Sequence, residues 1–160
     1  MKAIAKFLTL VTVLVLLAGG YVIWASELKV APGGAVVESA ADRAQAFEGI
    51  RQSAETGSAD LVMYADSIDY GADQYVFVTY TLRLRNLNAL PAEWMQLDIV
   101  PQEGDVLMVK ATIEDVPAFN EQLFTVVLMT DRTVASYARS ATLTYYVYGH
   151  EISIPVQLST

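Results

Sequence analysis

At 160 residues with a net charge of −8 and no cysteine, the chain has room for one globular domain of roughly 100 residues behind a hydrophobic N-terminal stretch. The missing thiol excludes disulfide staples, thiolate zinc sites, thiol catalysis and a lipid-modified cysteine anchor, so the fold must stand on its core. The acidic balance repels phosphate backbones, which sets nucleic acid aside as a partner and makes anionic headgroups poor ones.

Hydrophobic residues make up 54% of the chain, at a mean hydropathy of +0.36. They concentrate before Ser26 and in short alternating runs after Asp60, a distribution that excludes a polytopic membrane protein. Charge is just as uneven: Lys2 and Lys6 precede the hydrophobic stretch, and every acidic residue follows it, beginning with Glu27.

Residues 1–25 read as a signal-anchor or transmembrane segment. Phe7 to Ala25 carries no charge, and its roughly 19 residues give about 28 Å of helix, close to the thickness of a bilayer's hydrocarbon core. Lys2 and Lys6 predict an inside N-terminus, while Tyr21 and Trp24 fall where amphipathic rings favour the headgroup level. The rival is a cleaved signal peptide, with Ile23 and Ala25 before a cut at Ser26. The length of the apolar run and the aromatic residue beside the cut favour an uncleaved anchor. In both cases the remainder is predicted to lie outside the cytoplasm, held at the cell membrane by a single pass through residues 7–25.

Residues 26–60 read as a stalk. Ala31, Pro32, Gly33 and Gly34 end the membrane helix, and Ser39 with Asp42 resembles a capping start for a short helix from Ala40 toward Ala54. Ala44, Phe47 and Ile50 lie on its one apolar side and Gly57 is a plausible stop. A thin stripe of this kind can pack on the domain or pair with a second copy, but spacing the domain from the lipid is the favoured role.

Residues 61–160 switch to period two. Val76, Val78, Tyr80, Leu82 and Leu84 are predicted to face inward, against Thr79, Thr81, Arg83 and Arg85. The same alternation turns Met95, Leu97 and Ile99 inward, then Phe124, Val126 and Leu128, then Leu143, Tyr145 and Val147. A closing hairpin is predicted through a type II′ turn at Gly149-His150, returning with Ile152, Ile154, Val156 and Leu158 inward and Pro155 on an edge strand. About seven such strands predict an all-β, Ig-like antiparallel β-sandwich rather than a barrel.

The run LRLRNLNALPAEWMQLDI, followed by VPAFNEQLFTVVL, resembles Ig-like accessory modules of the CARDB and FxLYD kind. Asn86 or Asn88 matches the asparagine that ends a strand in those families, and Pro117 to Phe124 matches a later loop, with Ala118 or Asn120 where a glycine is usual. The resemblance implies adhesion, spacing or binding and no catalysis.

Motifs for chemistry are sparse. His150, the single histidine, sits in the predicted turn beside Glu151, where neighbouring strand residues point to opposite faces and cannot form a base with its orienting partner. Asp66, Asp69 and Asp73 cluster near Gly71 with an oxygen density that would suit Ca²⁺ but without the spacing of an EF-hand loop. They read as a solubilising acidic turn, as do Glu103 and Asp105. No pair of carboxylates is placed by the sequence for glycoside hydrolysis. A Lys110-to-asparagine crosslink gives way to an ordinary surface lysine, and Trp94 reads as a core plug.

The one candidate face is aromatic: Tyr146 and Tyr148 alternate away from the core face of their strand, as Tyr75 and Phe77 do on theirs. Such rings can anchor a protein or stack on a sugar unless a loop or the Phe47 helix covers them. The resulting expectation is a membrane-anchored, non-catalytic module without cofactor or metal that binds or scaffolds an envelope protein. A cell-wall or glycan binder is the alternative.

Overall fold

A computed structural model of the chain describes residues 2–24, 28–110 and 115–159. Helix α1 spans Lys2–Trp24, and within it Ile4–Tyr21 is long and apolar enough to cross a membrane, with none of its surface buried by the rest of the chain.

The rest is the expected antiparallel sandwich, with nine strands among the described residues rather than about seven. Strands β1 (Lys29–Ser39), β2 (Leu61–Met63), β3 (Tyr75–Arg85), β5 (Asp105–Val109) and β7 (Glu121–Asp131) form one sheet in the order β1-β3-β7-β5-β2. Strands β4 (Ala92–Ile99), β6 (Asp115–Val116), β8 (Arg139–Val147) and β9 (His150–Leu158) form the second, in the order β6-β4-β8-β9. The alternating positions meet between the sheets: Val78, Tyr80, Leu82 and Leu84 of β3 and Phe124, Val126 and Leu128 of β7 pack toward Met95, Leu97, Leu143 and Tyr145. At roughly 25 cal/mol per Å² of apolar surface, this layer is the principal source of stability in a domain without disulfides.

The segment expected to be a stalk belongs largely to the sandwich. Strand β1 pairs with β3 from Lys29↔Arg85 to Ser39↔Val76, with a register shift between Pro32 and Gly34. The Pro-Gly-Gly run, read as a helix breaker, makes that bulge. A Cβ on Gly33 would lie 2.9 Å from the Thr81 carbonyl oxygen, and Gly34 has φ +103°. An edge strand with bulge and proline resists pairing with other chains, and its wide exposure explains the missing alternation.

Helix α2 spans Ala44–Glu55, shorter than expected, and its N-cap is Arg43 rather than Ser39, with no side-chain cap bond. Gly57 ends it as expected, at φ +72° and with its N–H donated to Ala54 O. The closing hairpin turns one residue earlier than expected. Val147 pairs with His150, leaving Tyr148 and Gly149 at φ +51° and +75° as a two-residue type I′ turn. The two registers differ by a shift of two in the cross-strand pairing, which keeps the same residues inward, so alternation alone does not separate them.

Candidate functional site

The expected aromatic face divides in two. Tyr75 and Phe77 are not at the surface: α2 and the segment after β2 roof the outer side of the five-stranded sheet. They bury both rings in a second core with Ala40, Phe47, Leu107 and Met129. The Phe47 and Tyr75 rings stack at 5.9 Å, and burial pushes the Tyr75 phenol above its ordinary value. β3 is a central strand, covered on both faces at Tyr75 and Phe77, while Arg83 and Arg85 farther along its outer face are exposed.

Tyr146 and Tyr148 remain outside. Tyr146 lies on the outer face of the four-stranded sheet, half-buried, and donates its hydroxyl to Glu151 Oε2 at 2.7 Å across the β8–β9 ladder. That bond raises its pKa, because losing the proton would set two negative charges side by side. Tyr148, at the hairpin tip, is 83% exposed.

Two further rings join Tyr148: Trp94, expected in the core, and Phe119, for which the sequence carries no expectation. Trp94 is no core plug: it is 77% exposed, at φ +55°, in the bulge where the β4 register shifts between Glu93 and Gln96. Phe119 is 74% exposed at φ +56° in the β6–β7 turn. Trp94, Phe119 and Tyr148 are the three most exposed large hydrophobic residues described and the three non-glycine residues with positive φ. Backbone of that kind is rare for bulky side chains and concentrates at functional sites. A signal for Trp94 existed in the sequence: if Met95, Leu97 and Ile99 face inward, its phase is outward.

The three rings share one end of the sandwich. β3 ends at Arg85, opposite Lys29 at the start of β1, and the 86–91 loop then leads to β4. Val116 pairs with Ala92, so the β6–β7 turn closes at this end, as does the β8–β9 hairpin, since Glu93 pairs with Tyr146. Asn86 ties the end together. Buried, it donates its side-chain amide to the Leu90 and Val116 carbonyls at 2.8 and 3.0 Å and accepts from Asn88 N–H at 2.9 Å. The Phe119 N–H donates to Asn88 O at 3.2 Å. Asn86 is thus a structural clasp between two loops.

At the opposite end Asp105 is not a solubilising turn residue. Its carboxylate and the Arg139 guanidinium form a two-point ion pair at 2.7 and 2.9 Å, both side chains at 0% exposure. The remaining groups are matched: Arg139 Nη1 donates to the Ser136 and Ala138 carbonyls, and Asp105 Oδ2 accepts Gln102 N–H. This is a buried polar crosslink between β5 and β8, with partners at both carboxylate oxygens and at all three guanidinium nitrogens.

Other candidates do not assemble. Among the described residues no group of three or more His, Asp or Glu side chains is arranged to hold a metal ion, Asp66, Asp69 and Asp73 included. Ser67 donates to Asp69, and Gln74 to Asp73. His150 and Lys110 are exposed. A shallow cleft of about 170 Å³ lies between α2 and the loop after β2, lined by Arg51, Glu55, Met63, Asp66 and Ser67.

The outer face of the four-stranded sheet stays open, in contrast to the roofed one. Gln96, Asp98, Ser140, Ser153 and Gln157 are exposed, with Thr142 and Thr144 half-buried between them. Thr144 and Ser153 share a hydrogen bond of 3.1 Å, and Ser140 and Gln157 one of 3.3 Å. The face is rich in hydroxyls and carries the carboxylates of Glu93, Asp98 and Glu151.

No protein-family model matches the chain, and no curated protein does. Among solved structures, the FixG-related protein from Vibrio parahaemolyticus is similar at a TM-score of 0.34 and 13% identity, over 62% of this chain and 93% of that one.

Proposed function

We propose that the chain is a single-pass, membrane-anchored β-sandwich outside the cytoplasm that works by contact, binding or scaffolding an envelope protein through the open face of its four-stranded sheet. The observation that carries this reading is the asymmetry of the sandwich. One outer face is roofed by α2 over Tyr75 and Phe77, while the other is hydroxyl-rich and uncovered among the described residues, on a chain that also carries a membrane-length apolar helix. Lys2 and Lys6 in the first turns of that helix, with the acidic residues all after it, support an inside N-terminus. The resemblance to CARDB and FxLYD modules points toward a non-catalytic role.

A glycan-binding reading rests on Tyr146 and Tyr148 at one corner of the face, since exposed rings stack on sugars. Photoreactive residues at Thr144 and, as a control, at Arg51 on α2 test the protein reading in intact membranes. A discrete protein adduct from position 144 alone is the expected result, and the same adducts from both positions, or none, would oppose it. Co-sedimentation of the chain with purified cell wall, lost on Tyr148→Ser, would favour the glycan reading instead.

A further inference from the structure

We infer that the aromatic end of the sandwich, tipped by Trp94, Phe119 and Tyr148, seats in the interfacial layer of the same bilayer that α1 crosses. The inference rests on the reading of α1 as a membrane span and names what this end of the domain touches.

Chain length makes the contact nearly unavoidable. Helix α1 ends at Trp24, and Leu28 is already fixed in the sandwich: its side chain is buried in the core, and its N–H donates to the Tyr145 hydroxyl at 2.9 Å. Four Cα steps separate the two residues, a reach of at most about 14 Å when fully extended. β1 then starts at Lys29, opposite Arg85, at the end that carries the three rings. That end therefore stays close to where the helix leaves the bilayer.

The residues held there have the chemistry of that layer. Trp and Tyr favour the membrane-water boundary, where a ring can be apolar on its body and wet at its polar tip. The three rings are 77, 74 and 83% exposed, one on the β4 bulge and two on separate turns, each at left-handed backbone. Leu87, on the loop clasped by Asn86, is exposed beside them. Separate tips around a rim suit a soft, deformable layer. The charges at this end are mixed: Lys29, Arg83 and Arg85 share it with Glu93, Asp115, Glu121 and Glu151, and Arg83 is paired to Glu121 at 3.3 Å. Docking of this kind needs no anionic lipid and resists salt. It also sets the strands upright and turns the open sheet face sideways, parallel to the membrane normal, where a neighbouring membrane protein can reach it.

Intrinsic fluorescence of the full chain in phosphatidylcholine vesicles tests this, because the chain has two tryptophans, Trp24 and Trp94. In a Trp24→Phe chain Trp94 alone reports; in a Trp94→Phe chain Trp24 reports on α1. The expected result is that lipid brominated near the carbonyl quenches both, that Trp94 emission shifts to the blue and resists aqueous acrylamide, and that added salt changes neither. Quenched Trp24 with unquenched, acrylamide-accessible Trp94 would overturn the docking and leave the anchor standing. Unquenched Trp24 would remove the anchor and the inference together. Trp94 shielded from acrylamide but not quenched by lipid, more so as protein is added, would assign the rings to a second copy of the chain and overturn the inference.

Discussion

Asp105 and Arg139 lie 34 positions apart in the chain and meet at zero side-chain exposure, so neither local spacing nor alternation announces them. Asp105→Asn would leave the guanidinium buried without its counter-charge, and a loss of about 3 to 5 kcal/mol is expected in a urea melt, a large share of an ordinary domain's stability. A loss within experimental error would mean that water reaches the pair. Tyr148 is the opposite case, a residue that works against its own turn. A type I′ turn favours Asn before Gly, and left-handed backbone costs a bulky residue about 1 to 2 kcal/mol. Tyr148→Asn is therefore expected to raise the melting midpoint by about 1 kcal/mol equivalent while weakening any contact the ring makes. Destabilisation would show that the ring packs. Tyr80 and Tyr64 give the chain a pH response. Burial pushes both phenols up to about 12, with Asp105 adding to it, and Arg139 partly offsets the rise at Tyr80. In the unfolded chain they titrate near about 10. Between those values the folded state holds protons that the unfolded state has released, so stability is full below pH 10 and falls as pH rises toward 12. Urea midpoints across that window should drop, and less steeply in Tyr80→Phe, which also forgoes the hydroxyl's bond to the Tyr137 carbonyl.

Among the elements, those with one covered face were readable. The inward sets of β3, β4, β7 and β8 follow strict period two, and all of their expected members are buried. β1 was not readable, because an edge strand exposed along most of its length has no alternation to show and Pro-Gly-Gly looks like a break until a partner strand turns it into a bulge. The hairpin turn was legible to within one residue, and the two competing registers bury the same side chains. Helix α2 was foreseen, but its role was not. Phe47 lies buried on Tyr75, so the helix is a roof over the second core rather than a spacer. Phe47→Ala should cost about 3 to 5 kcal/mol, as large-to-small changes at buried rings do, and should expose Tyr75 and Phe77 to solvent. A chemical melt with the loss below about 1 kcal/mol would return α2 to the spacer role. The candidate face was half legible for the same reason: alternation says which side of its strand a residue takes, not what covers that side.

For the whole molecule, the proposed arrangement joins a membrane-spanning helix to the sandwich by a few residues, which keeps the domain close to the lipid. In that arrangement the acidic surface serves solubility and the aromatic end adhesion. All of this depends on α1 being retained as a span with the sandwich outside. The absence of cysteine from the chain allows that to be measured with single introduced thiols, Ala3→Cys and Ser159→Cys, in intact cells exposed to a membrane-impermeant maleimide. The expected result is labelling of position 159 without permeabilisation, labelling of position 3 only after it, and both on full-length protein in the membrane fraction. Labelling of position 3 from outside, or release of a shortened chain beginning at Ser26 into the soluble fraction, would contradict the account.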